Sequence, residues 1–258
     1  MIRYVQALEA FLFPQVCVFC GGLIHDRENL ATSDLHVTLS VCHGCLARLP
    51  YKPFKAHRMP CLSNAYEGDA IPDFSVLVPF RYEGEIVSAL RALKFHDAPY
   101  ISETLGFFMA ESVRRCGFCF DAVIPVPLSL SRLRKRGYNQ AALLAREIAR
   151  RMELPCLEDF LVRTRNTKQQ SRSNDPGLRA ANVRDAFVVP DRVSVDDLSV
   201  LLVDDVFTTG NTLHEAALAL FRAGAGSVMA ITAASGRREA DGKGFMTVKL
   251  SGRAAVRR

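Results

Sequence analysis

The sequence predicts an α/β protein: a parallel sheet flanked by helices, preceded by a small cysteine-rich unit. Three observations carry this. From Phe74 onward, short apolar or β-branched runs alternate with runs of helical spacing. One strand candidate, V-L-L-V at 200–203, is wholly apolar and runs into two acids, as a strand buried on both faces would. Ahead of Phe74 lie two C-x-x-C pairs with turn signals and little periodicity. The 258 residues therefore divide into 1–65, 66–236 and a basic tail, 237–258.

In the first unit, residues 1–14 read as a short amphipathic helix with Tyr4, Leu8, Phe11 and Leu12 on one face. Glu9 interrupts the apolar run and no small-residue cleavage site follows, so the segment does not read as a signal peptide. Cys17-x-x-Cys20 and Cys42-x-x-Cys45 follow, with 21 residues between the pairs. Each pair sets two thiolates on one tight turn, and two such turns make a tetrahedral zinc-knuckle set. The segment holds too few apolar residues for a core of its own, so metal binding would supply folding energy. His43, inside the second knuckle, is expected beside the metal shell or in solvent, not as a ligand.

The second unit starts with a strand at 75–82 and helices at 85–95 and 101–115. Cys116 and Cys119 close the latter without a matching pair and read as incidental. A short strand follows at 121–126, and Asn139 caps a helix at 140–152. Residues 164–184 are polar and basic without periodicity, hence a loop. Then come the 198–203 strand, a helix at 212–223 closed by Gly224, and a strand at 227–234.

Charge and cysteine usage bound the setting. The net charge of +6 is concentrated between Arg132 and Arg184 and in the tail. No run of 18 apolar residues predicts a membrane span, and eight cysteines without a secretion signal point to metal ligands or free thiols in the cytoplasm.

The chemistry concentrates at 200–213. An apolar strand delivers Asp204 and Asp205 to its carboxyl end, where open α/β sheets bind ligands. Adjacent carboxylates there are costly unless donors or cations meet them, and a ribose diol and a magnesium ion supply both. Thr208, Thr209, Gly210, Asn211 and Thr212 then open a helix whose amides and hydroxyls suit a phosphate. Pro125, Val126 and Pro127 form a rigid turn that would offer backbone amides to pyrophosphate. Arg132, Arg134, Lys135 and Arg136 come next, before the capped helix. The polar loop at 167–183 would close over the site.

Two rivals fail. A receiver domain needs over a hundred residues after such acids, and 53 follow Asp205; no G-x-x-x-x-G-K-[ST] accompanies the Walker-B-like strand.

Residues 200–213 resemble the fingerprint of type I phosphoribosyltransferases, which bind 5-phosphoribosyl-1-pyrophosphate (PRPP). The whole order of parts resembles the ComF family. It comprises Leu12-Phe13-Pro14 before Cys17, Cys42 to Pro50, Pro125 to Gln140, Thr167-x-x-Gln170 with Arg179-x-x-Asn182-Val183, and the fingerprint. This resemblance implies a type I phosphoribosyltransferase fold behind a zinc ribbon, with structural Zn²⁺ on Cys17, Cys20, Cys42 and Cys45, and Mg²⁺ bound with PRPP. It implies candidate catalytic residues Arg136, Thr167, Gln170 and Arg179. It also implies a role in competence, the DNA uptake of natural transformation, beside a helicase-like translocation protein and DNA-processing proteins. Many relatives carry further cysteine pairs after the L-P, where this chain has only Cys61, and the loop between Gln170 and Arg179 departs from the pattern.

Two functions compete. As an enzyme, the chain would transfer phosphoribose from PRPP to an acceptor by positioning and charge stabilisation, since no general base stands out. As a binding module, it would use the pocket to recognise phosphate and its zinc unit and basic patches to hold single-stranded DNA or a protein partner.

Overall fold

The structure is a computed structural model that describes residues 15–24, 40–54, 56–59, 73–164, 186–236 and 246–248. The expected helix at 1–14, the expected loop at 164–184 apart from Thr164, with Thr167, Gln170 and Arg179, and most of the tail lie outside the described residues.

Apolar alternation builds the sheet. The strands are β1 (Ala56–Met59), β2 (Phe74–Leu77), β3 (Phe80–Arg81), β4 (Ala122–Pro125), β7 (Ser199–Phe207), β8 (Ser227–Ser235) and β9 (Met246–Val248). Among the described residues they form one seven-stranded sheet ordered β4-β7-β8-β2-β1-β9, with β3 also paired to β8. Pairing is parallel from β4 to β2 and antiparallel at the β2-β1-β9 edge. β5 (Val162–Arg163) and β6 (Phe187–Val188) make a separate antiparallel ribbon.

Both faces are covered. Val200 and Leu202 of β7 share one buried cluster with Leu213, Ala217 and Leu220 of α6 (Asn211–Arg222). Their neighbours Leu201 and Val203 share the other with α2 (Gly84–Phe95), α3 (Ile101–Cys116) and α5 (Gln140–Met152). That period of two, with both phases apolar, is why the run carries no polar alternation. α1 (His43–Arg48) and α4 (Leu130–Arg136) are short helices off the sheet.

The structure corrects the sequence in four places. The expected strand at 75–82 breaks at Val78–Pro79, because a proline offers no amide to a ladder, and β2 and β3 pair separately with β8. β7 runs on to Phe207 opposite Ser235, so the two acids lie within the strand's last turn of pleat and not beyond it. Arg132, Arg134, Lys135 and Arg136, read as a basic stretch before the capped helix, lie in a short helix of their own, α4. Met246–Val248, inside the segment read as a tail, is an edge strand on β1.

The cysteine segment shares the main core. Cys17, Phe19, Val41, Cys45 and Leu49 belong to the buried cluster of α2 and α3. Tyr51 packs on Phe80 with ring planes tilted by 42° and centres 5.1 Å apart, and Phe80 meets Phe108 edge-on at 5.4 Å.

Where α3 crosses α5, a Cβ on Gly106 would stand 2.6 Å from Glu147 Cγ and 2.7 Å from Glu147 Cβ. Glu147 cannot step aside freely, since it accepts from Arg150 at 2.7 Å and from Arg151 at 2.6 Å. Gly106→Ala is therefore expected to destabilise the protein by about 1–2 kcal/mol in urea unfolding, crowding outweighing the helix propensity gained. An unchanged or higher stability would contradict the close crossing.

Candidate functional site

The end of β7 gathers charge of both signs. Asp204 and Asp205 are adjacent and each only partly exposed, and the Asp205 amide donates to Asp204 Oδ1 at 2.8 Å. Burial pushes the Asp204 carboxyl up to about 7, and the Asp205 charge adds to it; that amide, Lys94 and Arg163 work the other way. Opposite Asp204 in the register, Thr232 of β8 is fully buried, its hydroxyl without a hydrogen-bond partner among the described residues.

Cations arrive from three elements. Lys94, in the last turn of α2, sets Nζ 2.8 Å from Asp205 Oδ2. Arg136, the last residue of α4, feels the charges of Asp205 and Arg132, while burial lowers its pKa. Its guanidinium stacks over Phe95 at 5.1 Å and donates to Gln140 Oε1 at 2.8 Å. Arg163, from β5, lies over the Phe187 ring at 5.1 Å; burial and then Arg132 press its pKa down, and Asp204 opposes them. Arg132 and Arg136 stand one helical turn apart and are half-buried, whereas Arg134 and Lys135 are exposed. Two of the four basic residues read before α5 therefore serve the site and two face solvent.

The residues from Arg136 to Gln140 wire the site together. Tyr138 donates its hydroxyl to Leu93 O at 2.8 Å, fixing the turn that carries Lys94. Asn139 caps α5 by accepting from the Ala141 amide at 3.2 Å and donates to Val126 O at 3.0 Å. Gln140, almost fully buried, holds Arg136.

After β7 the chain turns through Thr208, Thr209 and Gly210 into α6. Gly210 is the N-cap at φ 89°, a left-handed conformation that favours glycine. A Cβ there would also meet Met59 Cε at 2.6 Å and Phe207 Cε2 at 2.9 Å. Thr208 is exposed and Thr209, Asn211 and Thr212 are part-exposed, so hydroxyls and first-turn amides line one open corner beside the acids.

The expected amide cradle at Pro125, Val126 and Pro127 is not there. Proline has no N–H, and the Val126 amide donates to Val203 O at 2.8 Å as part of the sheet. The turn abuts the acids through β4, with Pro125 opposite Val203, and supplies position rather than donors.

The sequence reading missed Lys94 and Arg163. Lys94 does carry a signal: it continues the Ile86, Leu90 stripe of α2 by four residues, a lysine at a position otherwise turned inward. Arg163 carries none, since a long-range ribbon sets its place.

The four knuckle sulfurs lie within 4.8 Å of one another, and Cys20 Sγ is 3.8 Å from Cys42 Sγ. A tetrahedron of Zn–S bonds about 2.3 Å long has edges of about 3.8 Å, so the set fits zinc. At Cys17 burial raises the thiol's pKa, but surrounding amides outweigh it and bring it to about 7; burial and the other sulfurs drive Cys45 upward. Crowded thiols that cannot all ionise alone are a donor set for a divalent soft cation. His43 is exposed, as expected. Cys116 is buried and Cys119 exposed, and neither belongs to a metal-binding group among the described residues.

Residues 138–250 match the family model described as "Phosphoribosyl transferase domain". The chain is 31% identical over 211 residues to "Competence protein F" of Haemophilus influenzae, spanning 77% of this chain and 87% of that one. It is 29% identical over 220 residues to "DNA utilization protein YhgH" of Salmonella typhimurium, spanning 83% and 87%. Against "Competence protein ComFC" of Bacillus subtilis the identity is 36% over 111 residues, 43% of this chain and 42% of that one. A purine phosphoribosyltransferase from Pyrococcus horikoshii superposes on 51% of this chain and 71% of its own, at 19% identity and a TM-score of 0.34, too loosely to carry an argument.

Two measurements test the electrostatics. Asp204 titrates near 7 when folded against an ordinary 3.8, so the folded chain binds its proton more tightly. Its stabilising contribution is thus complete below 3.8 and lost as pH rises through about 7. Asp204→Asn removes that loss, and its melting-temperature advantage over wild type is expected to grow by roughly 5–10 °C between pH 5 and pH 8. A pH-independent difference would refute the raised value. Atomic absorption should find one zinc per purified chain and almost none in Cys45→Ser, which should also melt lower; full-length Cys45→Ser retaining the metal would show that the cluster is not its site.

Proposed function

This chain belongs to the ComF family, and from that premise we propose that it binds PRPP with Mg²⁺ at the carboxyl end of β7 and transfers its phosphoribosyl group. The single observation that carries the reading is the acid pair ringed by Lys94, Arg136 and Arg163 beside the hydroxyl-lined start of α6. A neutral diol, a phosphomonoester tail and a pyrophosphate leaving group of higher charge differ in their demands, and this corner offers a counterpart to each.

On this reading Asp204 and Asp205 accept from the ribose hydroxyls, and the amides and hydroxyls of Thr208 to Thr212 hold the 5-phosphate. Arg132 and Arg136 face the pyrophosphate as forks that match its oxygens. Asp204 and Asp205 are the carboxylates that would hold Mg²⁺ arriving with PRPP, and the ion would supply positive charge against the leaving group. The C1–O bond then breaks with its electron pair leaving on pyrophosphate, while the acceptor nucleophile bonds to C1. Arg136, braced in advance by Gln140 and Phe95, would stabilise the charge that develops on the departing oxygen with little reorganisation of its own. Thr167, Gln170 and Arg179 are proposed to complete the site from the segment whose two ends β5 and β6 bring together beside Asp204.

The names of the relatives, competence and DNA utilization proteins, support a role in handling DNA. We place the zinc-binding cysteine unit, the exposed Arg134 and Lys135, and single-stranded DNA or DNA-processing partners in that role.

Binding calorimetry with PRPP and Mg²⁺ tests the reading. Asp205→Asn is expected to weaken PRPP by about 10- to 150-fold, the worth of hydrogen bonds to a charged group. Release of pyrophosphate across a panel of bases and ammonia would identify the acceptor. No heat from wild type at millimolar PRPP would end the phosphoribosyl reading and leave the DNA-binding one.

A further inference from the structure

One member of the cation ring differs from the rest. Arg136 is held twice, by Gln140 Oε1 at 2.8 Å and by the face of Phe95 at 5.1 Å. Arg163 lies on Phe187 at 5.1 Å. Lys94 is part-exposed, and among the described residues its ammonium has Asp205 as its one ion-pair partner, at 2.8 Å. Its base, by contrast, is fixed: Leu93 O accepts from Tyr138 at 2.8 Å, and Phe95 lies under Arg136. Three consecutive residues of one helix end thus engage three parts of the site, with a flexible stem only on the middle one.

We propose that Lys94 is a ligand-binding residue that changes partners: it sits on Asp205 in the free protein and turns to the anionic leaving group of the bound phosphoribosyl ligand. The inference rests on the phosphoribosyl reading above and goes beyond it by assigning a residue and a movement. The physical reason is competition for Asp205. A ribose diol donates to the same carboxylate oxygens that the ammonium occupies, and a leaving group of several negative charges arrives within reach of a four-carbon stem. A rigid guanidinium in that place would be fixed on one partner; a compact ammonium on a rotatable chain serves both in turn. Tyr138 is the positioning residue, setting the stem's origin without touching the ligand.

Two ligands separate this role from a structural one. PRPP and ribose 5-phosphate share the diol and the 5-phosphate, and only PRPP has the pyrophosphate. Calorimetry on the full chain with each, in Mg²⁺, is expected to show Lys94→Met weakening PRPP about 10-fold or more. Ribose 5-phosphate should hold or tighten, since its diol no longer displaces an ammonium. Tyr138→Phe should show the same asymmetry with a smaller loss. Lys94→Gln repeats the comparison with a polar neutral side chain should Met perturb folding, and melting curves check each variant. Equal losses for both ligands, or no loss for either, overturn the assignment. A wild-type chain that binds neither ligand overturns the phosphoribosyl reading itself, a result distinct from a wild type that binds PRPP and a Lys94→Met variant that binds it equally well.

Discussion

Two carboxylates on consecutive residues, half-withdrawn from water at the end of a buried strand, repel each other and cannot both stay ionised without cations nearby. The positions of the surrounding elements follow from that constraint. α2 ends where its lysine reaches Asp205; α4 ends where its last arginine feels the same charge; and the β5-β6 ribbon brings Arg163 to Asp204. Each cation comes from a different part of the chain, so the site assembles only when the sheet, the helical layer and the ribbon have all docked.

The residues between β4 and α5 show how such an arrangement is held without a dedicated scaffold. From Arg136 to Gln140 the side chains supply a site cation, a clamp on α2, a helix cap tied back to Val126 and a brace for the cation. Satisfying buried donors and acceptors and setting a cation near Asp205 are done by one short segment. The cysteine unit is tied in the same economical way. Its buried sulfurs join the apolar cluster under α2 and α3, and Arg48 reaches Glu85 at 3.4 Å, so the cysteine turns are tied to the main core.

Much of this was legible in the sequence, because its strongest features are local. An apolar strand with acids at its end, a hydroxyl-rich helix start, the Asn139 cap and two C-x-x-C turns are each set by neighbours within a few residues. What was not legible is long-range. Arg163 reaches Asp204 through a ribbon that pairs Val162 with Val188. Met246–Val248 finds β1 across nearly the whole chain. The Pro125–Val126–Pro127 turn looked like an amide cradle because composition does not reveal that β7 claims its one N–H. Lys94 stood in between: its place on an apolar stripe was visible, its partner was not.

The account stands on the state of the acid pair, which carbon-13 NMR of aspartate carboxyls reads directly. One carboxyl, lost in Asp204→Asn, should titrate near 7 in the free protein and move downward when PRPP and Mg²⁺ are added, as hydroxyl donors and cations favour its charged form. Two carboxyls that both titrate at ordinary carboxylate values, and stay there with ligand present, would contradict it.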